Sequence, residues 1–225
     1  MFALCLFFCL VFFVQADSLL RVDFSHAVLP ACATLKVSQG MAEKVEDKPL
    51  FIEGLSGMAL NCGGYSQYGR FVSVSAPFDA DGPFTVTCWF KPRGGYLTAL
   101  LYYRPSWDAL QGFSILHNGS QLALRVGKEY IIKTDRHNPI QNNKWYFLAL
   151  SWDGLSWRLF LNGMWSVAED CPSYVQPPPN CPFNIGGYNI ITNNIFQGSI
   201  EEVEFFNAAL GEEELFKLIK KKIPR

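Results

Sequence analysis

Apolar and polar residues alternate with a period of two through much of this chain, most clearly over residues 142–163, NNKWYFLALSWDGLSWRLFLNG. Tyr146, Leu148, Leu150 and Trp152 alternate with Phe147, Ala149 and Ser151, and Trp157, Leu159 and Leu161 alternate with Arg158 and Phe160. Side chains repeating at every second residue belong to pleated strands rather than to a helix. Asp153-Gly154 and Asn162-Gly163 supply the positive φ angles that tight hairpin turns require. The stretch therefore predicts two strands folded back on each other and a second turn after them.

Similar patterns predict strands over residues 19–24, 58–62, 70–75, 97–103, 112–117, 121–126, 130–133, 183–187 and 198–206. The run PFTVTCWFKP adds one more, rich in β-branched and aromatic residues and ended by Pro92. Residues 26–49 show no clear period and read as a long loop. Frequent turn signals without strand–helix alternation predict antiparallel sheets packed as a sandwich. One helix closes the pattern: Glu212, Glu213 and Glu214 in its first turn and Lys217, Lys220, Lys221 and Lys222 toward its end suit the helix dipole. Leu215, Leu218 and Ile219 give it an apolar side, and residues 221–225 read as a solvated basic tail.

Composition agrees with a well-packed domain. The chain has 225 residues, 49% hydrophobic and 15% aromatic, which allows one large β-domain and argues against disorder. Its formal charge of −1 offers no basic face, so nucleic acid is not an expected partner. Residues 1–16 form an apolar run followed by small residues, the pattern of a secretory signal, with Asp17 as the expected first residue of a secreted domain over 17–220. No later stretch is long and apolar enough to span a membrane.

Secretion makes the cysteines candidates for disulfides. Cys171 and Cys181 flank the Pro-rich segment CPSYVQPPPNC and are the first expected pair, worth about 2–3 kcal/mol if unstrained. Cys32 with Cys62 is the second, and Cys88 is expected to stay reduced on a core face. Asn118-Gly119-Ser120 is a glycosylation sequon on a predicted hairpin turn.

The segments GLSGMALNCGG, FTVTCWFKP, NNKWYFLALSWDGLSWRLFLNG, FNIGGY and FQGSIEEVEFFNAALGEEEL, taken in this order, resemble the concanavalin A-like lectin/glucanase superfamily in its laminin G-like, pentraxin-like branch. The resemblance extends over about residues 19–219. It implies an all-β, two-sheet antiparallel jelly-roll sandwich with a short C-terminal helix. Members of the superfamily bind glycans, often with calcium, or bind proteins, and one branch hydrolyses glucans.

Each of these activities has candidate residues here. For hydrolysis, Glu202 and Glu204 project from one strand face, but the run IEEVEFF lacks the central Asp of the glucanase motif and reads instead as acidic residues on a solvated strand face. His117, beside a turn, reads as a surface residue; no metal-protease motif or nucleophile elbow is present. Hard oxygen ligands for a calcium ion are available at Asp79, Asp81, Asn189, Asn193 and Asn194, although Asx turns use the same residues. For sugar stacking, Trp89, Trp145 and Trp152 match patterned core positions of the family. Trp107, Trp165, Tyr174 and Tyr188 fall outside those positions and are the candidate contacts. The expected function is a secreted, non-catalytic module that recognises carbohydrate or a glycosylated extracellular partner, with a glycoside hydrolase or a protein–protein adhesion module as the alternatives.

Overall fold

A computed structural model describes residues 18–39, 48–64, 68–75, 82–168, 174–188 and 195–223. The strands run in chain order as β1 (Ser18–Asp23), β2 (Ala33–Gln39), β3 (Phe51–Glu53), β4 (Met58–Asn61), β5 (Gly63–Gly64) and β6 (Tyr68–Ser75). There follow β7 (Phe84–Pro92), β8 (Thr98–Tyr103), β9 (Phe113–Asn118), β10 (Gln121–Val126) and β11 (Glu129–Lys133). The last group is β12 (Tyr146–Trp152), β13 (Trp157–Leu161), β14 (Met164–Ala168), β15 (Pro182–Ile185) and β16 (Gly198–Phe206), before helix α1 (Glu212–Lys222).

These strands make two eight-stranded sheets. The first has the order β14-β13-β12-β7-β16-β4-β3, with β1 also on β16; the second has β11-β10-β9-β8-β15-β6-β2, with β5 on β6. All strand pairs are antiparallel. Both the sandwich and its closing helix agree with the sequence reading.

The period of two explains the packing. Phe84, Val86, Cys88 and Phe90 of β7, Leu148, Leu150 and Trp152 of β12, and Trp157, Leu159 and Leu161 of β13 all enter the core between the sheets. Phe113, Ile115, Leu122, Leu124 and Phe183 meet them from the second sheet. The opposite face of the first sheet is not solvated: Trp89, Phe147, Ala149, Phe160 and Phe206 pack there with Leu215, Phe216, Leu218 and Ile219 of α1. Glu214 accepts the N–H of Gly211 at 2.8 Å and so caps the helix.

Asn162 adopts φ 48° and Gly163 φ 100°, as the second turn requires. The Asn162 carboxamide oxygen also accepts the N–H of Phe147 at 2.7 Å. An Asn162→Ala protein should lose about 1–2 kcal/mol from the left-handed backbone and the missing hydrogen bond. Urea denaturation checks this, with Asn162→Gly expected to recover part of the loss.

Several sequence expectations are corrected. The 26–49 segment contains β2, whose ATLKVSQ does alternate and pairs along β6 from Ala33 opposite Val74. The basic tail begins later than residue 221, because α1 runs through Lys222 and the Lys222 ammonium is docked between Glu201 and Glu202. Cys32 is an exposed free thiol and Cys62 a buried one, so they do not form a disulfide. Burial pushes the Cys62 thiol up to about 12. Cys181 is free as well, and Cys171 lies outside the described residues. Cys88 is a buried free thiol, as expected. His117 is not a surface residue but fully buried, edge-on to Phe196 at 5.8 Å.

Candidate functional site

The outer face of the second sheet carries a row of polar residues at one level of the pleat. Tyr130 lies opposite Arg125, Arg125 opposite Ser114, and Ser114 opposite Tyr102. Tyr102 in turn faces Asn184, Asn184 faces Ser73, and Ser73 faces Thr34. Directly opposed residues share a sheet face, so these seven side chains form one line across the strands β11 to β2. The Ser73 hydroxyl donates to Asn184 Oδ1 at 2.6 Å, which leaves the Asn184 amide hydrogens as donors.

The segment after β8 folds over this row. Arg104 is buried at its base and donates through Nη2 to the carbonyls of Trp107 (3.0 Å) and Ala109 (2.5 Å). Arg125 reaches the same Trp107 carbonyl through Nη1 at 3.0 Å and lies over the Trp107 ring, 4.3 Å from its centroid. Held in this way, Trp107 stacks on Tyr188 (5.6 Å, 24°), and Tyr188 stacks on Tyr102 (4.5 Å, 15°). The rings, with Ala99, Leu116 and Leu97, form an apolar patch on an otherwise polar face.

Beside the stack is a groove of about 780 Å³, whose walls include Tyr102, Arg104, Trp107, Asn180, Asn184 and Tyr188. Burial pushes the Tyr102 phenol up to about 12 and raises that of Tyr188, so both remain protonated donors at neutral pH. Aromatic walls with a few convergent hydroxyl and amide groups are the usual construction of a small-ligand site.

A second, smaller crevice of about 210 Å³ lies under α1 and is lined by Arg21, Glu202, Glu204 and Lys222 among others. Here the expectation of a solvated acidic face is corrected. Glu204 is buried, and Glu202 is half-buried between Lys222 Nζ (2.7 Å) and Arg21 Nη2 (3.0 Å). The two carboxyl groups lie within hydrogen-bonding reach of each other. Burial and the neighbouring Glu202 raise Glu204, whereas for Glu202 the bonds from Glu204, Lys222 and Arg21 outweigh burial and hold it well below the usual range. Glu204 is therefore the member of the pair that takes up a proton first as the pH falls. A retaining glycosidase needs its carboxyl groups about 5–5.5 Å apart on either side of a sugar bond; two within hydrogen-bonding reach of each other leave no such gap.

Of the four aromatic residues singled out from sequence, only Trp107 and Tyr188 come together. Trp165 is on β14, edge-on to Phe160 at 4.9 Å beneath the helix. Tyr174 inserts against Trp157 (5.5 Å) and Phe84 (5.8 Å), and burial raises its phenol. Asp79, Asp81, Asn189, Asn193 and Asn194 lie outside the described residues. Among the described residues no group of three or more His, Cys, Asp or Glu could hold a metal ion, and no helix is long and apolar enough to cross a membrane. Asn118 is half-buried at the β9–β10 turn. Tyr102, Arg104, Arg125, Ser114 and Asn184 were not expected from sequence. Alternation marks some of them as outward-facing, but their common row depends on strand register.

A family model described as the concanavalin A-like lectin/glucanases superfamily matches residues 63–216. No curated protein matches the chain. Among solved structures, domain 4 of AbnA, a GH43 extracellular arabinanase from Geobacillus stearothermophilus solved with arabinotriose, is similar with TM-score 0.65 and 16% identity over 91% of this chain and 98% of that one. The binding domain of botulinum neurotoxin serotype D aligns with TM-score 0.64 and 14% identity over 92% of this chain. That of botulinum neurotoxin DC, solved with rat synaptotagmin II, gives 0.58 and 13%, also over 92%. This chain spans about half the length of each toxin domain, 52% in both cases. At these identities the likeness is one of fold.

Proposed function

The chain belongs to the concanavalin A-like lectin/glucanases superfamily, and from that premise we propose that it is a secreted, non-catalytic module that binds carbohydrate, free or on a glycosylated extracellular partner. The observation that carries the reading is the Tyr102–Tyr188–Trp107 stack set beside a groove with Asn184 and Asn180 in its wall. Sugar rings pair apolar C–H faces with hydroxyls, and this groove offers aromatic surface next to amide and phenol groups. The neighbour solved with arabinotriose supports a sugar ligand, and the one solved with synaptotagmin a protein partner. The close approach of Glu202 and Glu204 supports a non-catalytic role.

A glycan array read with and without a chelator tests both sugar binding and a calcium ion held by Asp79, Asp81, Asn189 and Asn193. Tyr188→Ala is expected to weaken the bound glycan about tenfold, with the circular dichroism spectrum unchanged. Binding of a non-glycosylated protein partner with a blank array would instead favour the adhesion reading. Release of reducing ends from a polysaccharide, abolished by Glu202→Gln, would overturn the non-catalytic one.

A further inference from the structure

Two arginines, Arg125 in the polar row and Arg104 at its base, are paired with no carboxylate among the described residues. Arg104 is 2% exposed and Arg125 6%, and each has a buried nitrogen, Nη1 of Arg104 and Nε of Arg125, without a hydrogen-bond partner. The Tyr102 hydroxyl lies against the Arg104 guanidinium without completing a bond of good geometry, and it too is buried without a partner. The acceptors these arginines do have are carbonyls, those of Ser106, Trp107 and Ala109 for Arg104 and that of Trp107 for Arg125. Asp108 is the carboxylate close enough to act on Arg104, yet among the described residues it pairs with neither arginine.

Two guanidinium groups so placed repel each other, and both have lost hydration that neutral carbonyls only partly replace. Burial and the adjacent Arg125 together lower the Arg104 pKa, consistent with that uncompensated charge. A structural arginine normally meets a carboxylate or uses its full set of donors. Arg104, with its spare donor, is part of the groove wall alongside Tyr102, Trp107 and Tyr188. Guanidinium groups recognise carboxylate and sulfate through paired charged hydrogen bonds.

We propose, resting on the carbohydrate-binding reading, that the groove takes an acidic saccharide, a sugar bearing a carboxylate or a sulfate ester, whose anion is held by Arg104 in the groove wall, with Arg125 against Trp107 adding to the positive charge there, while its ring lies against Trp107 and Tyr188. A neutral sugar would leave the two guanidinium groups uncompensated and the buried donors unsatisfied, so discrimination is expected to come from charge rather than from ring shape.

The test compares matched probes on the wild-type chain, which requires no variant to fold. Trigalacturonate is measured against its methyl ester, and chondroitin sulfate against unsulfated chondroitin. Calorimetry at low salt is expected to show the trigalacturonate anion binding at least tenfold tighter than the ester, with the preference shrinking as salt is raised. Preference for the sulfated chondroitin alone identifies sulfate as the recognised group, and preference for trigalacturonate alone identifies carboxylate. Arg125→Met should reduce the preference severalfold while leaving the melting temperature within a few degrees, and an unchanged preference would contradict the contribution of its charge. Equal binding of charged and neutral probes overturns the acidic-sugar assignment and leaves the carbohydrate reading standing. Binding to none of these probes, with neutral glycans captured on the array, also overturns the assignment alone. An array that captures nothing overturns both.

Discussion

Replacing Glu201 by alanine is expected to lower the unfolding free energy by about 3–5 kcal/mol, the usual consequence of removing one partner from a buried charge pair. Glu201 is fully buried. Its carboxylate accepts the N–H of Leu55, the N–H and hydroxyl of Ser56 (both 3.1 Å), and pairs with Lys222 Nζ at 2.9 Å. One side chain therefore closes the turn after β3 and anchors the end of α1. The alanine protein would strand two backbone donors and half-release an ammonium that is only 10% exposed. Glu201→Gln, which keeps acceptor capacity without the charge, should lose clearly less. Lys222→Met should also lose less, because Glu201 keeps its Leu55 and Ser56 donors and Glu202 keeps Arg21 at 3.0 Å. Equilibrium denaturation in urea measures all three, and an alanine loss below 1 kcal/mol would contradict the anchoring role.

The second large effect is a loss of stability on acidification, carried by His117. Burial pushes its pKa down to about 4 from the ordinary 6.5, and the backbone at Gly119 and Gly94 offsets only part of this. A folded pKa below the unfolded one means that the unfolded chain binds more protons between those values. Stability from this group is intact above pH 6.5 and falls as the pH drops toward 4. The full loss is roughly 3 kcal/mol for a shift of this size. Glu204 works in the opposite sense: its raised pKa favours the folded state below the unfolded carboxyl value, and that contribution fades as the pH rises. The two contributions overlap, so the His117 effect is read by difference. His117→Phe should show a shallower decline in stability from pH 6.5 to 4 than the wild type, with the Glu204 contribution common to both. Parallel curves for the two proteins would contradict a buried, neutral imidazole.

Reading the sequence alone was sufficient where the determining interaction is local. The alternation in FTVTCWFKP and in residues 142–163 specifies strands because side chains two residues apart share a face. Asp153-Gly154 and Asn162-Gly163 specify turns because those residues accept positive φ, and the Glu-to-Lys gradient of the last segment specifies a helix through its dipole. Five motifs in order were enough to point to the superfamily.

What remained hidden depends on which strands meet and at what register. Between core-facing Ile200 and Val203 two residues stand where strict alternation allows one, and this irregularity against β7 turns Glu201 and Glu202 both outward, under the helix. No local pattern announces such a bulge. Trp165 and Tyr174 looked free because exposure is decided by what packs over a residue, here the helix and the core, and not by its neighbours in sequence. Arg104, Arg125, Tyr102 and Asn184 become one site only when β8, β9, β10 and β15 align across the second sheet. The chain by itself determined a β-sandwich with turns in nearly the right places, because those depend on backbone angles and a two-residue period. The tertiary structure alone decided where charge is buried and which aromatic residues share a groove, because those depend on register between strands distant in sequence.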